Sequence, residues 1–359
     1  MRGWIFTSRG RPSQVLKLRD DLRKPTTEML GPNDALVKIS CVSAFQGFAA
    51  LMGIIPHFND NPWIPGSDFS GVIEAVGSDV RHLKAGDAVF GSPNPRDYLK
   101  GGEKYNGVLV EYAVIPADQV VRKPANISFE EASGVAGNGC TALQFCELAG
   151  LKQGDRVLIT AGSSGLGSTT IQIVRSFVGK EGTIVSTCSA ANIELVKGLG
   201  ADEVIDYTAH PRLGDCCAER FATLPFDAII DNAGTDDSLW FKCARYLKPD
   251  GIFIPGGKMD VIHKSGGVLN SVSGILSFVL MSQLRKRWPV VLGGIPRRYV
   301  FHSGNIDPES LRKVPDLMET GMLRGLVDSE WAMGDAIKAY ERVATGRARG
   351  KVVIHVQDV

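Results

Sequence analysis

Hydrophobic residues follow a short, strand-like pattern in the first third of the chain. Runs such as "ALVKISCV" (35–42), "GVIEAVG" (71–77) and "LVEYAVI" (109–115) are apolar or alternate with polar residues. Glycine, proline and aspartate separate them, and runs of this length with these breakers are typical of β-strands. The pattern therefore predicts a β-rich, barrel-like domain over residues 1–127.

From residue 128 to 304, short β-branched runs alternate with amphipathic stretches. The runs "RVLITAG" (156–162) and "FDAIIDNAG" (226–234) are examples, and "LGSTTIQIVRSFVG" (166–179) has the spacing of an amphipathic helix. Strands that alternate with helices build βαβ units. We therefore predict an α/β fold with a doubly wound parallel sheet in this part of the chain.

Two helical patterns and a closing strand follow residue 304. The helices are "PESLRKVPDLMETG" (308–321) and "GDAIKAYERVATG" (334–346), and the strand is "KVVIHV" (351–356). The closing strand would either extend the parallel sheet or return to the first domain, and the sequence leaves both open.

Charge and cysteine content narrow the class of partner. The chain has 40 basic and 39 acidic residues and a formal net charge of +1. This balance lacks the basic surplus of a nucleic-acid-binding protein, so a small molecule is the expected partner. The seven cysteines form no paired C-x-x-C spacing, which favours reduced thiols in an intracellular protein over a disulfide framework or a cysteine-rich zinc site.

Two segments bear on location. Residues 1–15 contain no apolar run of signal-peptide length, so a cytoplasmic location is expected. Residues 265–284 are uncharged, but serine, asparagine, glutamine and glycine dilute them below the apolarity of a bilayer span. A helix buried at an interface or over a substrate pocket is favoured, and peripheral membrane contact is the alternative.

A glycine-rich loop ends the first predicted strand of this part of the chain, "RVLITAG" (156–162). The segment "TAGSSGLGS" (160–168) leads directly into a helical pattern. Glycines let a backbone approach a pyrophosphate, and the helix N-terminus offers it N–H groups and a positive dipole end. The residues predicted to bind the cofactor here are Gly162, Ser163, Ser164, Gly165, Leu166 and Gly167. The alternative is a tight strand–helix turn without a ligand.

The next strand predicts which dinucleotide binds. A carboxylate at its end would hold the ribose of NADH and repel a 2′-phosphate, but "CSAAN" (188–192) has no acid. Ser189 and Asn192 can donate hydrogen bonds to a phosphate, and Tyr207 ends the following strand. These residues favour NADPH, although Ser189 and Asn192 can also cap the helix that follows them.

Nearly the whole chain resembles the medium-chain dehydrogenase/reductase superfamily, in its zinc-independent quinone-oxidoreductase-like branch. The matching motifs include "IPGSDFSGVIEAVGSDVRHLKAGDAVFG" (64–91), "LVKGLGADEVIDY" (195–207) and "GRARGKVVI" (346–354). They look most like a subgroup of reticulon-interacting and fungal oxidoreductases. The resemblance implies a GroES-like substrate domain, residues 1–127 completed by 305–359, around a Rossmann domain at 128–304. It also implies an active site between the domains and a homodimer.

The same resemblance implies that no catalytic metal is bound. Phe45, Ser67 and Asp68 stand where zinc-dependent relatives have a cysteine, a histidine and a glutamate. The segment that matches their structural-zinc loop, residues 92–106, contains no cysteine. No His/Cys cluster in the chain has ligand spacing either.

Further contacts are predicted by position or by resemblance. Asn232, Ala233 and Gly256 follow strands at the carboxyl edge of the sheet, where a dinucleotide binds. Thr141 resembles the family threonine beside the nicotinamide, and Lys351 is predicted either to contact the cofactor or to be solvated. His302 would also lie near the nicotinamide. The candidates for substrate binding are Ser43, Phe45 and Gln46, and no catalytic acid is identified.

Without a Lewis acid, alcohol oxidation is disfavoured, whereas hydride transfer to an already polarised acceptor remains possible. The sequence therefore predicts an NADPH-dependent reductase of α,β-unsaturated carbonyl compounds or quinones. One alternative is a trans-acting enoyl reductase that works with a polyketide-type synthase. Another is an NADPH-binding protein with a regulatory or tethering role.

Overall fold

A computed structural model describes residues 1–53, 62–94, 107–256, 268–302 and 304–359 of the chain. The β-strands are β1 (Gly3–Ile5), β2 (Lys17–Arg19), β3 (Asp34–Ala44), β4 (Phe69–Val76), β5 (Ala88–Gly91), β6 (Tyr112–Pro116), β7 (Val120–Arg122), β8 (Arg156–Ile159), β9 (Thr183–Cys188), β10 (Glu203–Asp206), β11 (Phe226–Asp231), β12 (Leu247–Pro255), β13 (Arg298–Tyr299), β14 (Val327–Ala332) and β15 (Lys351–His355). The α-helices are α1 (Pro12–Val15), α2 (Gln46–Met52), α3 (Phe129–Ala132), α4 (Ala136–Ala149), α5 (Gly165–Val178), α6 (Ile193–Gly198), α7 (Leu213–Arg220), α8 (Ser238–Lys242), α9 (Val268–Arg287), α10 (Pro308–Glu319) and α11 (Ala336–Ala344). Short 3₁₀ helices cover Thr27–Met29, Ala117–Gln119, Ala190–Asn192, Cys243–Arg245, Val290–Leu292 and Met333–Asp335.

The chain forms two compact units. The first comprises Met1–Cys140 and Asn305–Val359, and the second comprises Thr141–Gly304. The domain limits proposed from the sequence, after residues 127 and 304, stay a prediction.

The second unit contains the predicted parallel sheet, in the order β10-β9-β8-β11-β12-β13. All of its neighbouring strands run parallel. The chain builds outward from β8 to β10 and then returns to place β11 on the other side of β8. This order makes the β8/β11 boundary a topological switch point, where the carboxyl ends of the strands leave a crevice for a ligand.

The first unit is built on a mostly antiparallel sheet in the order β14-β15-β3-β4-β5-β7, with β6 also paired to β3. Its closing strand, β15, pairs antiparallel with β3, so that Val352 lies opposite Ala44 and His355 opposite Cys41. Of the two placements that the sequence left open for this strand, the return to the first domain is therefore the one observed. The core of the sheet buries apolar residues that include Val37, Ile39, Phe69, Val89 and Ile354.

Helix α9 covers most of the uncharged segment, whose residues 265–267 lie outside the described residues. Several of its large apolar side chains are exposed in the single chain, among them Leu276, Leu280, Met281 and Leu284. Burial of this helix at an interface or over a substrate pocket, as the sequence favoured, stays a prediction. Among the helices that the structure describes, none combines the length and the apolarity needed to cross a bilayer.

Candidate active site

The glycine-rich loop joins β8 to α5 and is held against β9. The Gly162 amide donates a hydrogen bond to the Thr187 carbonyl at 2.8 Å. Ser164 caps α5, and its hydroxyl accepts from the Gly167 amide at 3.0 Å. A Cβ on Gly167 would lie 2.0 Å from the Ala161 carbonyl oxygen, so only glycine permits this approach. The loop thereby presents a helix N-terminus, which suits an anionic ligand.

Ala161 adopts a left-handed conformation in this loop, with φ of 55°. For a residue with a side chain this conformation costs about 1–2 kcal/mol. The Ala161 amide donates to the Thr187 hydroxyl at 3.2 Å, which stabilises the turn. Ala161 lies two positions before Ser163, the first of the two loop serines that are predicted to face a pyrophosphate.

Asp231 and Thr160 connect the two strands at the switch point. The Thr160 hydroxyl donates to Asp231 Oδ1 at 2.7 Å and accepts from the Ala233 amide at 2.9 Å. The Gly234 amide also donates to Asp231 Oδ1, at 3.0 Å. Burial raises the pKa of the Asp231 carboxyl, against the hydrogen bonds, which lower it. Sequence reasoning missed both residues, although an acid at the end of an apolar strand was a visible signal.

Asn232 offers an unpaired acceptor beside this network. Its Nδ2 lies 3.5 Å from Thr170 Oγ1, while its Oδ1 is buried and has no hydrogen-bond partner. A Cβ on Gly256 would lie 3.1 Å from this oxygen. A buried oxygen without a donor is costly unless a ligand supplies one, so Asn232 and Gly256 fit a bound dinucleotide.

Ser163, Ser189 and Asn192 come together at the end of β9. Asn192 Nδ2 donates to the hydroxyls of Ser163 and Ser189, both at 3.2 Å. Asn192 Oδ1 is buried without a partner. Neither Ser189 nor Asn192 makes a side-chain capping hydrogen bond, so the capping role considered from the sequence is not seen. Tyr207, the remaining predicted contact in this region, is 49% exposed.

The sequence-based prediction did not identify one carboxylate at the carboxyl edge of the sheet. Asp206 ends β10 and lies opposite Cys188 in the sheet register. Its Oδ1 accepts from the Thr208 hydroxyl at 2.7 Å and from the Thr208 amide at 2.9 Å, and these bonds lower the Asp206 pKa. The prediction of the cofactor rested on the end of β9, whereas Asp206 ends the neighbouring strand, β10.

Thr141 lies on α4 beside the segment that ends the second unit. A Cβ on Gly304, where φ is +69°, would lie 2.5 Å from Thr141 Oγ1. On the same helix, Gln144 Oε1 is 2.5 Å from His302 Nε2, and the Phe145 ring meets the His302 ring edge to face at 5.9 Å. The structure therefore places Gly304 beside Thr141 and His302 beside Gln144, in the middle of α4, and the placement of Thr141 and His302 beside a nicotinamide stays a prediction.

A nearly buried ion pair includes Asp68, one of the three residues that match the zinc-site positions of zinc-dependent relatives. Lys351 Nζ lies 3.0 Å from Asp68 Oδ2, and the two side chains are only 11% and 7% exposed. The ammonium also lies 5.6 Å from the centre of the Phe45 ring, within the range of a cation–π contact. The alternative that Lys351 is a solvated surface residue is thus wrong.

Glycines at the start of α4 make room for this pair. A Cβ on Gly137 would lie 2.9 Å from Asp68 Oδ1, and one on Gly134 would lie 2.6 Å from Lys351 Cγ. Side chains at these two positions would collide with both partners. The helix start is thus shaped around the ion pair.

The residues present do not fit the catalytic zinc of the zinc-dependent relatives. Phe45 has no ligand atom, and the Asp68 carboxylate already faces an ammonium at 3.0 Å. A second cation beside that ammonium would be strongly repelled. Most of the loop that matches the structural-zinc segment, residues 95–106, lies outside the described residues.

The three substrate candidates differ in accessibility. Phe45 is 41% exposed, Gln46 begins α2 and is half-buried, and Ser43 is fully buried. The Ser43 amide donates to the Asp68 carbonyl at 3.0 Å, while its hydroxyl has no partner. Ser43 therefore lies beside Asp68 through its backbone, and Phe45 lies beside the Lys351 ammonium.

The cysteines offer no activated nucleophile. All seven are buried and free, and burial raises the pKa of Cys41, Cys217 and Cys243 to about 12. Cys216 and Cys217 lie within α7, as small buried side chains of a helix. A thiolate mechanism is accordingly disfavoured.

Comparison with protein families places both parts of the chain. The family model described as the alcohol dehydrogenase GroES-like domain matches residues 31–125. The model described as zinc-binding dehydrogenase matches residues 199–354.

Individual relatives span the chain almost completely. The trans-enoyl reductase poxH of Penicillium oxalicum is 36% identical over 392 residues, which cover 100% of this chain and 98% of that protein. The 2-methylene-furan-3-one reductase of Solanum lycopersicum is 30% identical, covering 99% of this chain and 79% of that protein. The structure of the quinone oxidoreductase from Coxiella burnetii superposes with a TM-score of 0.74 at 26% identity and covers 99% of both chains.

Proposed function

Because the chain belongs to the medium-chain dehydrogenase/reductase superfamily of oxidoreductases, we propose that it is a zinc-independent reductase. It uses NADPH to transfer a hydride to an activated C=C bond, as in an α,β-unsaturated carbonyl compound, or to a quinone. The single observation that carries the proposal is the Lys351–Asp68 ion pair in place of a metal. An acceptor that is already conjugated needs no Lewis acid, since it delocalises the arriving charge onto its own oxygen.

The proposed cofactor site follows the carboxyl edge of the parallel sheet. Ser163, Ser164, Gly165 and Leu166 are half-buried at the start of α5 and would hold the pyrophosphate. The unpaired oxygens of Asn192 and Asn232 would accept hydrogen bonds from the adenosine and ribose groups.

The proposed preference for NADPH over NADH rests on the polar groups at the end of β9. The Ser163 and Ser189 hydroxyls and the Asn192 amide, joined by hydrogen bonds of 3.2 Å, would surround the 2′-phosphate, with Tyr207 beside it. Asp206 would favour NADH, but one of its carboxylate oxygens already accepts hydrogen bonds from the Thr208 hydroxyl and amide.

The cofactor supplies the hydride when it is bound, and the chain's own residues position the reaction. Thr141 would contact the nicotinamide, and Ser43, Phe45 and Gln46 would contact the acceptor. An ammonium has three N–H donors, and Asp68 takes one of those of Lys351. The others would be available to the cofactor, and a solvent proton would convert the enolate left by hydride transfer into the saturated product.

A second candidate function concerns one substrate class. The relative that is 36% identical over the full chain is named a trans-enoyl reductase, so 2-enoyl thioesters presented by a partner synthase are the second candidate. Such substrates are α,β-unsaturated carbonyl compounds, and they require the same hydride transfer.

The test is NADPH oxidation by the purified chain with a panel of enones, quinones and 2-enoyl thioesters. We expect turnover of at least one of these classes and none of simple ketones or alcohols. Preferred turnover of thioesters would select the enoyl reductase. Tight NADPH binding without turnover of any acceptor would overturn the catalytic proposal and favour a regulatory or tethering role.

A further inference from the structure

Three side chains of different chemistry converge in the first unit, apart from the residues assigned to cofactor or substrate. Cys41 lies on β3, Glu130 on α3 and His355 on β15. The sheet register places Cys41 directly opposite His355. None of the three had a role in the sequence-based prediction, because they are far apart in the chain.

The three ligand atoms form a compact triangle. Cys41 Sγ lies 3.7 Å from His355 Nδ1 and 4.0 Å from Glu130 Oε1, and His355 Nδ1 lies 3.7 Å from Glu130 Oε1. A point equidistant from the three atoms lies about 2.2 Å from each, close to the Zn–S, Zn–N and Zn–O distances of protein sites. The triangle thus has about the size of one face of a tetrahedral zinc shell.

A fourth residue orients the imidazole. His355 Nε2 lies 2.8 Å from a carboxylate oxygen of Glu330, which lies on β14, the strand that pairs with β15. If Nε2 carries the proton, it donates to Glu330, and the Nδ1 lone pair then faces the sulfur and Glu130. Zinc-binding histidines are commonly oriented by a carboxylate in this way.

The cluster has more acceptors than the thiol can serve. In the tautomer with the proton on His355 Nε2, Cys41 has one S–H proton for two neighbouring acceptors, Glu130 Oε1 at 4.0 Å and His355 Nδ1 at 3.7 Å, so only one of these long hydrogen bonds forms at a time. A zinc ion that displaces the thiol proton to solvent would satisfy all three atoms at once. Cys41 is fully buried, while the side chains of His355 and Glu130 are 40% and 28% exposed, so an ion would enter from their side and keep a water.

We propose that Cys41, Glu130 and His355 bind Zn²⁺, with water as the fourth ligand, in a site that fastens the closing strand β15 to β3 and α3. The sulfur and imidazole ligands select zinc over magnesium or calcium, which prefer oxygen. The site is separate from the positions that match the family's catalytic zinc. His355 lies four residues beyond Lys351 on the same strand, about 13 Å along it.

The test uses the full chain after treatment with a chelator. We expect one Zn²⁺ per chain in competition with a chromophoric chelator, and a sulfur-to-cobalt charge-transfer band when Co²⁺ is bound. Cys41→Ser should abolish the band and lower zinc affinity at least 100-fold, and His355→Gln should lower the affinity similarly. Glu330→Gln should lower it 10- to 100-fold. Cys243→Ser, which changes another buried cysteine, should leave both readouts unchanged.

His355→Gln keeps the test valid if Cys41→Ser fails to fold, because the histidine is partly exposed. The proposal is overturned if zinc does not bind at micromolar concentration, or if the cobalt band and the stoichiometry survive both substitutions. In the first case the contacts of His355 with Glu130 and Glu330 alone account for the cluster. Reduction of an enone should be unchanged in the folded Cys41→Ser variant, so this outcome is independent of the proposed function.

Discussion

The Asp68 carboxylate and the Lys351 ammonium are taken out of water together, with side chains that are 7% and 11% exposed. A pair buried this deeply contributes little net stability relative to an apolar pair, but each partner depends on the other. Asp68, which matches a zinc-site position of other relatives, thus has a structural role here together with Lys351. We expect substitutions of these residues to change the free energy of unfolding more than the catalytic activity.

Lys351→Met should lower the free energy of unfolding by about 3 kcal/mol, because it leaves Asp68 buried and unpaired. The double variant Asp68→Asn/Lys351→Met should lose less than the sum of the two single variants. Lys313→Met is the matched control, since it removes an exposed i,i+4 pair and should change stability by under about 0.5 kcal/mol. Urea unfolding measures all four variants, and additive losses would show that the pair is not coupled.

Ser189→Asp should discriminate between the two cofactors. A new carboxylate beside Ser163 and Asn192 would repel a 2′-phosphate, by about 3 kcal/mol for charges some 5 Å apart in a medium of intermediate dielectric. NADPH should then bind at least tenfold more weakly, while the affinity for NADH stays the same or rises. Ser13→Asp, at an exposed position of helix α1, should alter neither affinity in fluorescence titrations. An equal loss for both cofactors would contradict the placement of the 2′-phosphate.

Asp231 should give the stability a distinctive pH dependence. Burial raises its pKa in the folded chain, so the folded state binds the proton more tightly than the unfolded state. The contribution of Asp231 to the free energy of unfolding is therefore largest at low pH and is lost as pH rises from about 4 through the raised pKa. Asp231→Asn lacks this dependence. Urea unfolding from pH 4 to 8 should show wild-type stability falling relative to the variant, and a relative rise would mean that hydrogen bonds outweigh burial.

At the scale of elements, the sequence predicted the glycine loop and helix α5 well, because strand, breaker and helix follow each other within a few residues. It could not predict the contacts that fix this loop. The Thr187 carbonyl and hydroxyl come from the next strand, and the Asp231 carboxylate comes from the strand after the switch point. Such contacts depend on sheet order, which local spacing does not encode.

Gly167→Ala tests how tightly the loop is packed. Its new methyl group would lie 2.0 Å from the Ala161 carbonyl oxygen, so the loop must shift, and we expect a stability loss of about 2 kcal/mol or more and at least tenfold weaker NADPH binding. Gly198→Ala is the matched control. It lies in α6 with open space around it, and should stabilise the chain by about 0.5–1 kcal/mol. Similar effects of both substitutions on cofactor binding would contradict the loop assignment.

For the whole molecule, the order of strands and helices along the sequence predicted the fold class, whereas the long-range strand pairing is seen only in the structure. A short apolar strand such as β15 fits either sheet, and only its pairing with β3 places it. That pairing brings Lys351 to Asp68 across 283 residues and His355 to Cys41 across 314 residues. Spacing rules for metal ligands span a few residues, so they could not detect a cluster of this kind.

The most direct measurement of the proposed chemistry follows the hydride itself. The purified chain is given an α,β-unsaturated carbonyl substrate and NADPH that carries deuterium at the transferred position of the nicotinamide, and the product is examined by NMR. We predict a saturated carbonyl product with one deuterium on the carbon β to the carbonyl, formed equally well after treatment with a chelator. An allylic alcohol with deuterium on the former carbonyl carbon, or a reaction that stops when metal is removed, would contradict the account.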